Sequence, residues 1–367
     1  RDVAPSRGLG DVYKRQKRKR SNFMAGGFYL GGKWRMNCVF SSDDNFADIL
    51  GCALISLFEN NREQETIEVY ILDGGISEGN KRKLESIFHQ YERMVHFIEV
   101  PDISQLTGEA VTSGRWPIST FARILIDSLL PKEVKRVLYL DCDILVLGSL
   151  KDLWEMDLKD KTAAGVMDCL SNQRKQNAGI NGEDSYINAG VMLIDMDRWR
   201  ENEIEKQCMN YIRICNGQVA YNDQGVINKV LHKDLLVLPP EYNAMTLFFD
   251  FTYPDMIKYR KPQSYYSAQQ VDHARKHPRI VHFTSSFLSL RPWVKGSEHP
   301  YAPLWRNYYK RSPWRAKDLR SDNRSSYRKI YEKFYRLMPL PFSVSLSGFL
   351  HSVLVPMVHM RKNQSGE

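Results

Sequence analysis

Arg136-Val137-Leu138-Tyr139-Leu140-Asp141-Cys142-Asp143 runs from a buried-strand pattern straight into two carboxylates, and Ile144-Leu145-Val146-Leu147 resumes the apolar run at once. Two carboxylates one residue apart at the mouth of a buried strand are costly to hold unless a cation meets them. A hard divalent ion uses one or two carboxylates and fills its remaining positions with phosphate oxygens and water. The pair therefore points to an enzyme that handles nucleotide diphosphates, a nucleotide-sugar transferase being the obvious candidate. The plainer alternative is a strand-end Asp pair that caps a turn or is solvated, so the surrounding chain has to decide.

Outward from this pair the chain alternates strands and helices. Met36 to Phe40 is a short apolar run that ends in Ser41-Ser42-Asp43-Asp44-Asn45, the pattern of a strand, a loop and a helix start. Ile49, Ala53 and Leu57, with Leu50, Leu54 and Phe58, recur at helical spacing. Thr66 to Leu72 and Val95 to Val100 are the next strands, with a helix from near Ser77 between them. Ser119 is expected to cap a helix bearing Phe121, Ile124, Leu125 and Leu129, stopped by Pro131. Ala163 to Met167, Val191 to Met196 and Arg279 to Phe283 read as further strands, and Arg198 to Cys215 and Asp223 to Leu231 as helices. This alternation predicts an α/β, Rossmann-like, mostly parallel sheet flanked by helices. Ligands of such sheets bind at the carboxyl ends of the strands, where both Asp43 and Asp141 fall.

The net charge of +9 over 367 residues is unevenly placed. Residues 1–36 hold 10 basic and 2 acidic groups, and residues 306–336 hold 11 and 3, which leaves −8 for residues 37–305. An acidic body argues against a nucleic-acid groove and leaves anionic lipid as a partner for the basic ends. The six cysteines show no metal-ligand spacing and lie mostly in apolar segments, as buried free thiols of a reducing compartment do. Residues 1–35 are expected to be a disordered basic leader, and Arg1 to Gln16 reads as translated adapter sequence rather than protein. No uninterrupted apolar run reaches bilayer length.

Five motifs in order now resemble one family: Val39-Phe40-Ser41-Ser42-Asp43-Asp44-Asn45, Leu138-Tyr139-Leu140-Asp141-Cys142-Asp143, Ile187-Asn188-Ala189-Gly190-Val191, Asn222-Asp223-Gln224, and His282 with Arg291-Pro292-Trp293. Together they resemble the retaining glycosyltransferases of family 8, over roughly residues 36–295. The resemblance implies a GT-A type fold, a UDP-sugar donor and Mn²⁺, with Mg²⁺ as the second choice. It makes Asp141, Asp143 and His282 the metal ligands, and a nitrogen beside carboxylates suits Mn²⁺ better than Ca²⁺. Ser41, Asp43 and Asn45 would meet the uridine and ribose, although the same residues also suit a helix cap. Arg123, Cys142 and Arg291 join the donor-binding set. Asp168, Asn188, Asp223 and Gln224 would face the sugar and stabilise an oxocarbenium-like transition state. A double displacement needs a carboxylate nucleophile near C1, and the resemblance offers only the amide of Gln224, so front-face attack by the acceptor is favoured. The family's His-x-x-Gly…Lys-Pro-Trp loop is longer here, lacks the glycine and has Arg for Lys.

The resulting organisation is a catalytic domain over residues 36–300 and a basic, aromatic, then apolar extension over 301–367. Trp305, Tyr308, Tyr309, Trp314 and Tyr327 alternate with Lys and Arg, a composition suited to anionic headgroups. Leu337 to Met360, broken by prolines, is expected to dip into the membrane interface without spanning it. The function expected is transfer of galactose or glucose from a UDP-sugar to a cell-envelope glycan or lipid-linked saccharide, at the cytoplasmic face of the plasma membrane. The alternative is a non-catalytic nucleotide-sugar binder of the same fold.

Overall fold

A computed structural model describes residues 35–64, 66–101 and 121–358. The leader, the Ser119 cap and the last two residues of the Leu337–Met360 stretch lie outside the described residues. Strand β1 (Arg35–Ser42) feeds helix α1 (Ala47–Glu59), then β2 (Thr66–Asp73), α2 (Glu78–Gln90), β3 (Met94–Glu99), β4 (Arg136–Leu140) and β5 (Ile144–Val146). Ser77 accepts a hydrogen bond from the Asn80 amide at 3.4 Å and so starts α2, which buries only Leu84, Ile87 and Phe88, one stripe at i, i+3, i+4. Helix α1 differs: 12 of its 13 residues, Ala47 to Phe58, are buried. A helix apolar all round needs cover on both sides.

Farther on come β6 (Ala163–Met167), β7 (Ile187–Asp195), α3 (Ile204–Ile214), α4 (Asn222–Leu231), β8 (Leu235–Val237), β9 (Ala244–Met245), α5 (Tyr253–Arg260), α6 (Ala268–Lys276) and β10 (Ile280–His282). Seven strands form one sheet in the order β3-β2-β1-β4-β7-β6-β8. β1, β2, β3 and β4 run parallel, as do β6 and β8, while β7 is antiparallel to both neighbours, β4 and β6. The expected mostly parallel sheet flanked by helices is what the chain builds. The expected continuous helix from Arg198 to Cys215 is instead two, because Glu203 takes a left-handed conformation, φ 49°, between Met196–Glu201 and α3.

The chain leaves the large sheet at Asp141. β5 pairs antiparallel with β10, Ile144 opposite His282, and β10 pairs parallel with β9. The Asp-Cys-Asp turn thus lies where a seven-stranded and a three-stranded sheet meet, and the second sheet brings His282 to the turn.

Beyond β10, α7 (Ala302–Arg311) packs on α1, and α8 (Ser326–Leu337) and α9 (Leu340–Phe349) follow. Trp305, Tyr308, Tyr309 and Trp314 are buried in the same core as α1, so these four rings are not available to headgroups as expected. They supply the cover that α1 requires. Tyr327 alone of the five is exposed. The prolines do not break the apolar stretch either: Leu340–Val358 is one helical segment of 19 residues, long and apolar enough by length and composition to cross a bilayer, with 33% of it buried. Pro341 sits in its first turn, where a missing amide hydrogen is tolerated. Five cysteines are buried free thiols, and Cys215 is half-buried.

Candidate active site

Asp141, Asp143 and His282 offer ligand atoms that all lie within 4.8 Å of one another. His282 Nε2 stands 3.1 Å from Asp143 Oδ1 and 3.7 Å from Asp141 Oδ2. Ligands about 2.1 Å from one cation at right angles stand about 3 Å apart, so the triad matches neighbouring positions of a six-coordinate ion. Gly190 on β7 keeps this space open: a Cβ there would lie 2.3 Å from His282 Cε1 and 2.7 Å from Asp141 Oδ2. Two carboxylates and an imidazole suit a divalent ion of the Mn²⁺ or Mg²⁺ class. Burial alone would raise the Asp143 carboxyl, but His282 and then Arg291 overcome it and hold it down to about 2. Burial works to lower His282, and the Asp143 and Asp141 charges lift it above its usual value.

Two arginines flank the triad. Arg123, in a short 3₁₀ turn before β4 rather than a full helix, donates to the Ala189 carbonyl at 2.6 Å and to Asp141 Oδ1 at 2.8 Å. Its Nε faces Asp223 Oδ2 at 2.5 Å as an ion pair without aligned hydrogen-bond geometry. Arg291 reaches Asp143 Oδ2 at 3.3 Å, donates from Nε to the Phe283 carbonyl at 3.0 Å, and donates to Ser285 Oγ at 3.0 Å. The long loop that carries it is fixed by Asp250, whose two oxygens accept from the hydroxyls of Ser286 and Ser289.

The sugar-facing set forms one array. Gln224 Oε1 accepts from Asn188 Nδ2 and from the Ala189 amide, each at 3.1 Å, and Gln224 Nε2 donates to Asp168 Oδ2 at 3.1 Å. Tyr221 and Asn222, both at φ 58°, turn the chain so that α4 opens with Asp223 and Gln224. Gly225 follows because a Cβ there would meet the Ala220 carbonyl oxygen at 1.8 Å. Asp223, 5% exposed, is raised to about 6 by burial, against the lowering effect of Arg123.

At the first strand end, Asp43 Oδ1 accepts from the Phe46 amide at 3.1 Å, the helix-cap role. Asp44 is fixed by the Ser77 amide and Asn80, and the exposed Asn45 accepts through its carbonyl from Arg320 at 2.5 Å. The Cys142 thiol is buried and donates to the Ser41 carbonyl at 3.1 Å, tying β4 to β1. Its side chain therefore turns away from a donor, and only its backbone is left to meet one. The structure so brings Asp141, Asp143, His282, Arg123, Arg291, Asn188, Asp223, Gln224 and Asp168 together, with Ser41, Asp43 and Asn45 at the adjoining strand end.

Glycosyl transferase family 8 is the family whose pattern matches this chain, over residues 37–295. The chain belongs to that family. The transferase is 30% identical over 282 residues to general stress protein A of Bacillus subtilis, covering 76% of this chain and 94% of that protein. It is 23% identical to lipopolysaccharide 1,2-glucosyltransferase of Escherichia coli K12, covering 76% and 79%. Among solved structures, the galactosyltransferase LgtC with donor and acceptor sugar analogs superimposes with a TM-score of 0.62 at 24% identity, covering 77% of the transferase and 100% of LgtC. That likeness is one of fold, a mixed α/β layer structure of GT-A type.

Two parts of the site have no counterpart in the sequence motifs. Asn243, wholly buried, stands between Asn188 and His282. Asp250 holds the Arg291 loop from a helix 36 and 39 residues earlier than its serines. A carboxylate in an apolar Phe-Phe-Asp-Phe context was the one local hint for the second.

Proposed function

We propose that this transferase moves a hexose, galactose or glucose, from a UDP-sugar to a saccharide or lipid-linked saccharide of the cell envelope, with retention at C1. The observation that carries the reading is the unbroken array from the Asp141, Asp143 and His282 cluster to Gln224 and Asp168 at the carboxyl ends of the strands. Asp141, Asp143 and His282 would hold Mn²⁺, which would neutralise the diphosphate and ease the departure of UDP. Arg291 would bind the diphosphate beside the cation, its planar fork suited to paired phosphate oxygens. Asp43 would accept the uracil N–H, with Ser41 and Asn45 at the ribose.

Asp223, Asp168 and the Asn188 and Gln224 amides would grip sugar hydroxyls and oppose the positive charge that develops at C1. Gln224 Oε1 already accepts two hydrogen bonds and is an amide oxygen, a poor nucleophile. Attack from the same face as the leaving group fits better. The bond from C1 to the β-phosphate oxygen breaks, the acceptor oxygen bonds to C1, and the acceptor proton passes to that phosphate oxygen.

Relatives named for lipopolysaccharide support an acceptor of the cell envelope. The same reading puts the protein at the cytoplasmic face of the plasma membrane, held by α8, whose exposed Tyr327, Ile330, Phe334 and Leu337 form one apolar stripe beside basic residues. Incubation with UDP-galactose, UDP-glucose and UDP-N-acetylglucosamine, with and without Mn²⁺, tests it. Mn²⁺-dependent UDP release from one hexose donor is expected. Binding without turnover of any donor would replace the enzyme by a nucleotide-sugar binder.

A further inference from the structure

We propose that Asn243 is a positioning residue that fixes His282 in the tautomer with hydrogen on Nδ1, so that the Nε2 lone pair faces Asp141 and Asp143, and that it couples this ligand to the sugar-facing array. The proposal rests on the metal-site reading for its use, but its geometry stands apart from any ion.

The polarity of the array follows from groups that have no choice. A backbone amide can only donate. The Gly190 amide donates to Asn188 Oδ1 at 3.1 Å, which fixes which side of the Asn188 amide is oxygen. Asn188 Oδ1 also lies 2.9 Å from Asn243 Nδ2, so Asn243 must donate there and must present Oδ1 on its other side. That oxygen is 3.0 Å from His282 Nδ1, which therefore carries the hydrogen. In the neutral ring, Nε2 is left with its lone pair, 3.1 Å from Asp143 Oδ1 and 3.7 Å from Asp141 Oδ2. The Ala189 amide works the same way on the other branch: it donates to Gln224 Oε1, so Gln224 Nε2 must donate to Asp168. Two successive amides of β7 thus set the polarity of the metal cluster and of the sugar-facing carboxylate at once.

Asn243 and His282 are both buried, 0% and 3% exposed, so no water competes for this bond. Asn243 also closes the turn Pro240–Asn243 that leads into β9, which is paired with β10, so its backbone and its side chain position the same histidine. Partners that orient a metal-ligating imidazole in this way are worth about 10–100-fold in metal affinity.

Two measurements test the proposal. The first is ¹⁵N NMR of the full-length, metal-free protein labelled at histidine, at a pH where the ring is neutral, with the His282 signals assigned by their loss in His282→Gln. The Nδ1–H tautomer is expected; the Nε2–H tautomer overturns the proposal without any variant having to fold. The second is Mn²⁺ affinity read by electron paramagnetic resonance in Asn243→Leu and Asn243→Asp. Asn243→Leu should bind Mn²⁺ at least about tenfold more weakly, while Asn243→Asp, which still accepts from Nδ1–H, should recover most of the affinity. Equal affinity in a folded Asn243→Leu overturns the proposal, as does failure of a folded Asn243→Asp to recover. A wild-type protein that binds no Mn²⁺ would end the metal-site reading, and the tautomer measurement would still decide the role of Asn243.

Discussion

Arg123 and Asp223 form a buried ion pair, Nε to Oδ2 at 2.5 Å, and yet the Asp223 carboxyl sits at about 6 because burial outweighs the guanidinium. Arg123 is shared with Asp141, and the Asp141 charge itself pushes Asp223 upward. Tyr139 from β4 and Tyr186 before β7 complete the titratable surroundings. A carboxyl raised from 3.8 binds more protons in the folded state than in the unfolded chain. Its contribution to stability is therefore full below about 4 and is lost as pH rises through about 6, at most about 3 kcal/mol. Activity should run the other way, because only the ionised form opposes positive charge at C1. Turnover is expected to rise with pH through about 6, and Asp223→Asn to lose both most of the activity and that limb. A wild-type profile flat from pH 5 to pH 7 would separate Asp223 from the chemistry.

Asp143 lies 3.1 Å from His282 and 3.3 Å from Arg291, and Asp141 shares Arg123 with Asp223. Asp143→Asn and Asp141→Asn each remove one charge with little change of shape. Both should cut Mn²⁺-dependent UDP release by about 100-fold or more, which is about 2.7 kcal/mol of barrier. Thermal melting of the variants checks that the fold survives. Full activity in either variant would remove that residue from the ligand set.

The loop from Thr284 to Leu290 has no glycine to turn it, and Asp250 does the work through Ser286 and Ser289. Asp250→Ala should free the loop and with it Arg291, raising KM for the UDP-sugar by about tenfold, the loss of a charge-assisted contact to phosphate. The Mn²⁺ affinity should stay, since Asp250 touches no ligand. Asp250→Asn, able to accept from one serine, should fall between. Steady-state kinetics with a separate Mn²⁺ titration reads both quantities, and an unchanged KM in Asp250→Ala would leave the loop without this support.

Much of this was legible in the sequence for a physical reason: strands buried on both faces read as continuous apolar runs, and a charge at the end of such a run is conspicuous. Asp141 and Asp143 were visible in that way. Asn243 was not, because its importance lies in meeting Asn188, 55 residues away, and an asparagine after two prolines looks like any turn. The departure of β5 into a second sheet was also silent, since Ile144-Leu145-Val146 is equally apolar in either sheet. The aromatic residues after 301 were misread for want of one inference. A helix buried at Ala47 through Phe58 cannot face solvent, so something aromatic and later in the chain had to cover it.

With Trp305 and Trp314 in the core, removing everything after residue 305 would open the domain, so membrane attachment needs a gentler test. Tyr327, Ile330, Phe334 and Leu337 stand at i, i+3, i+7 and i+10 of α8, 76%, 65%, 47% and 84% exposed. Arg328 and Lys333 lie among them, both exposed. Basic residues near an anionic surface are worth about 1 kcal/mol each, and the apolar stripe adds burial in the headgroup region. Ile330→Glu with Leu337→Glu should leave melting and UDP-sugar turnover unchanged, since neither side chain is buried in the domain. The double variant should pellet several-fold less with phosphatidylglycerol vesicles at low salt, and wild type should lose binding as salt rises. Equal pelleting of the two proteins would take α8 out of any membrane contact and leave Leu340–Val358 as the segment to test next.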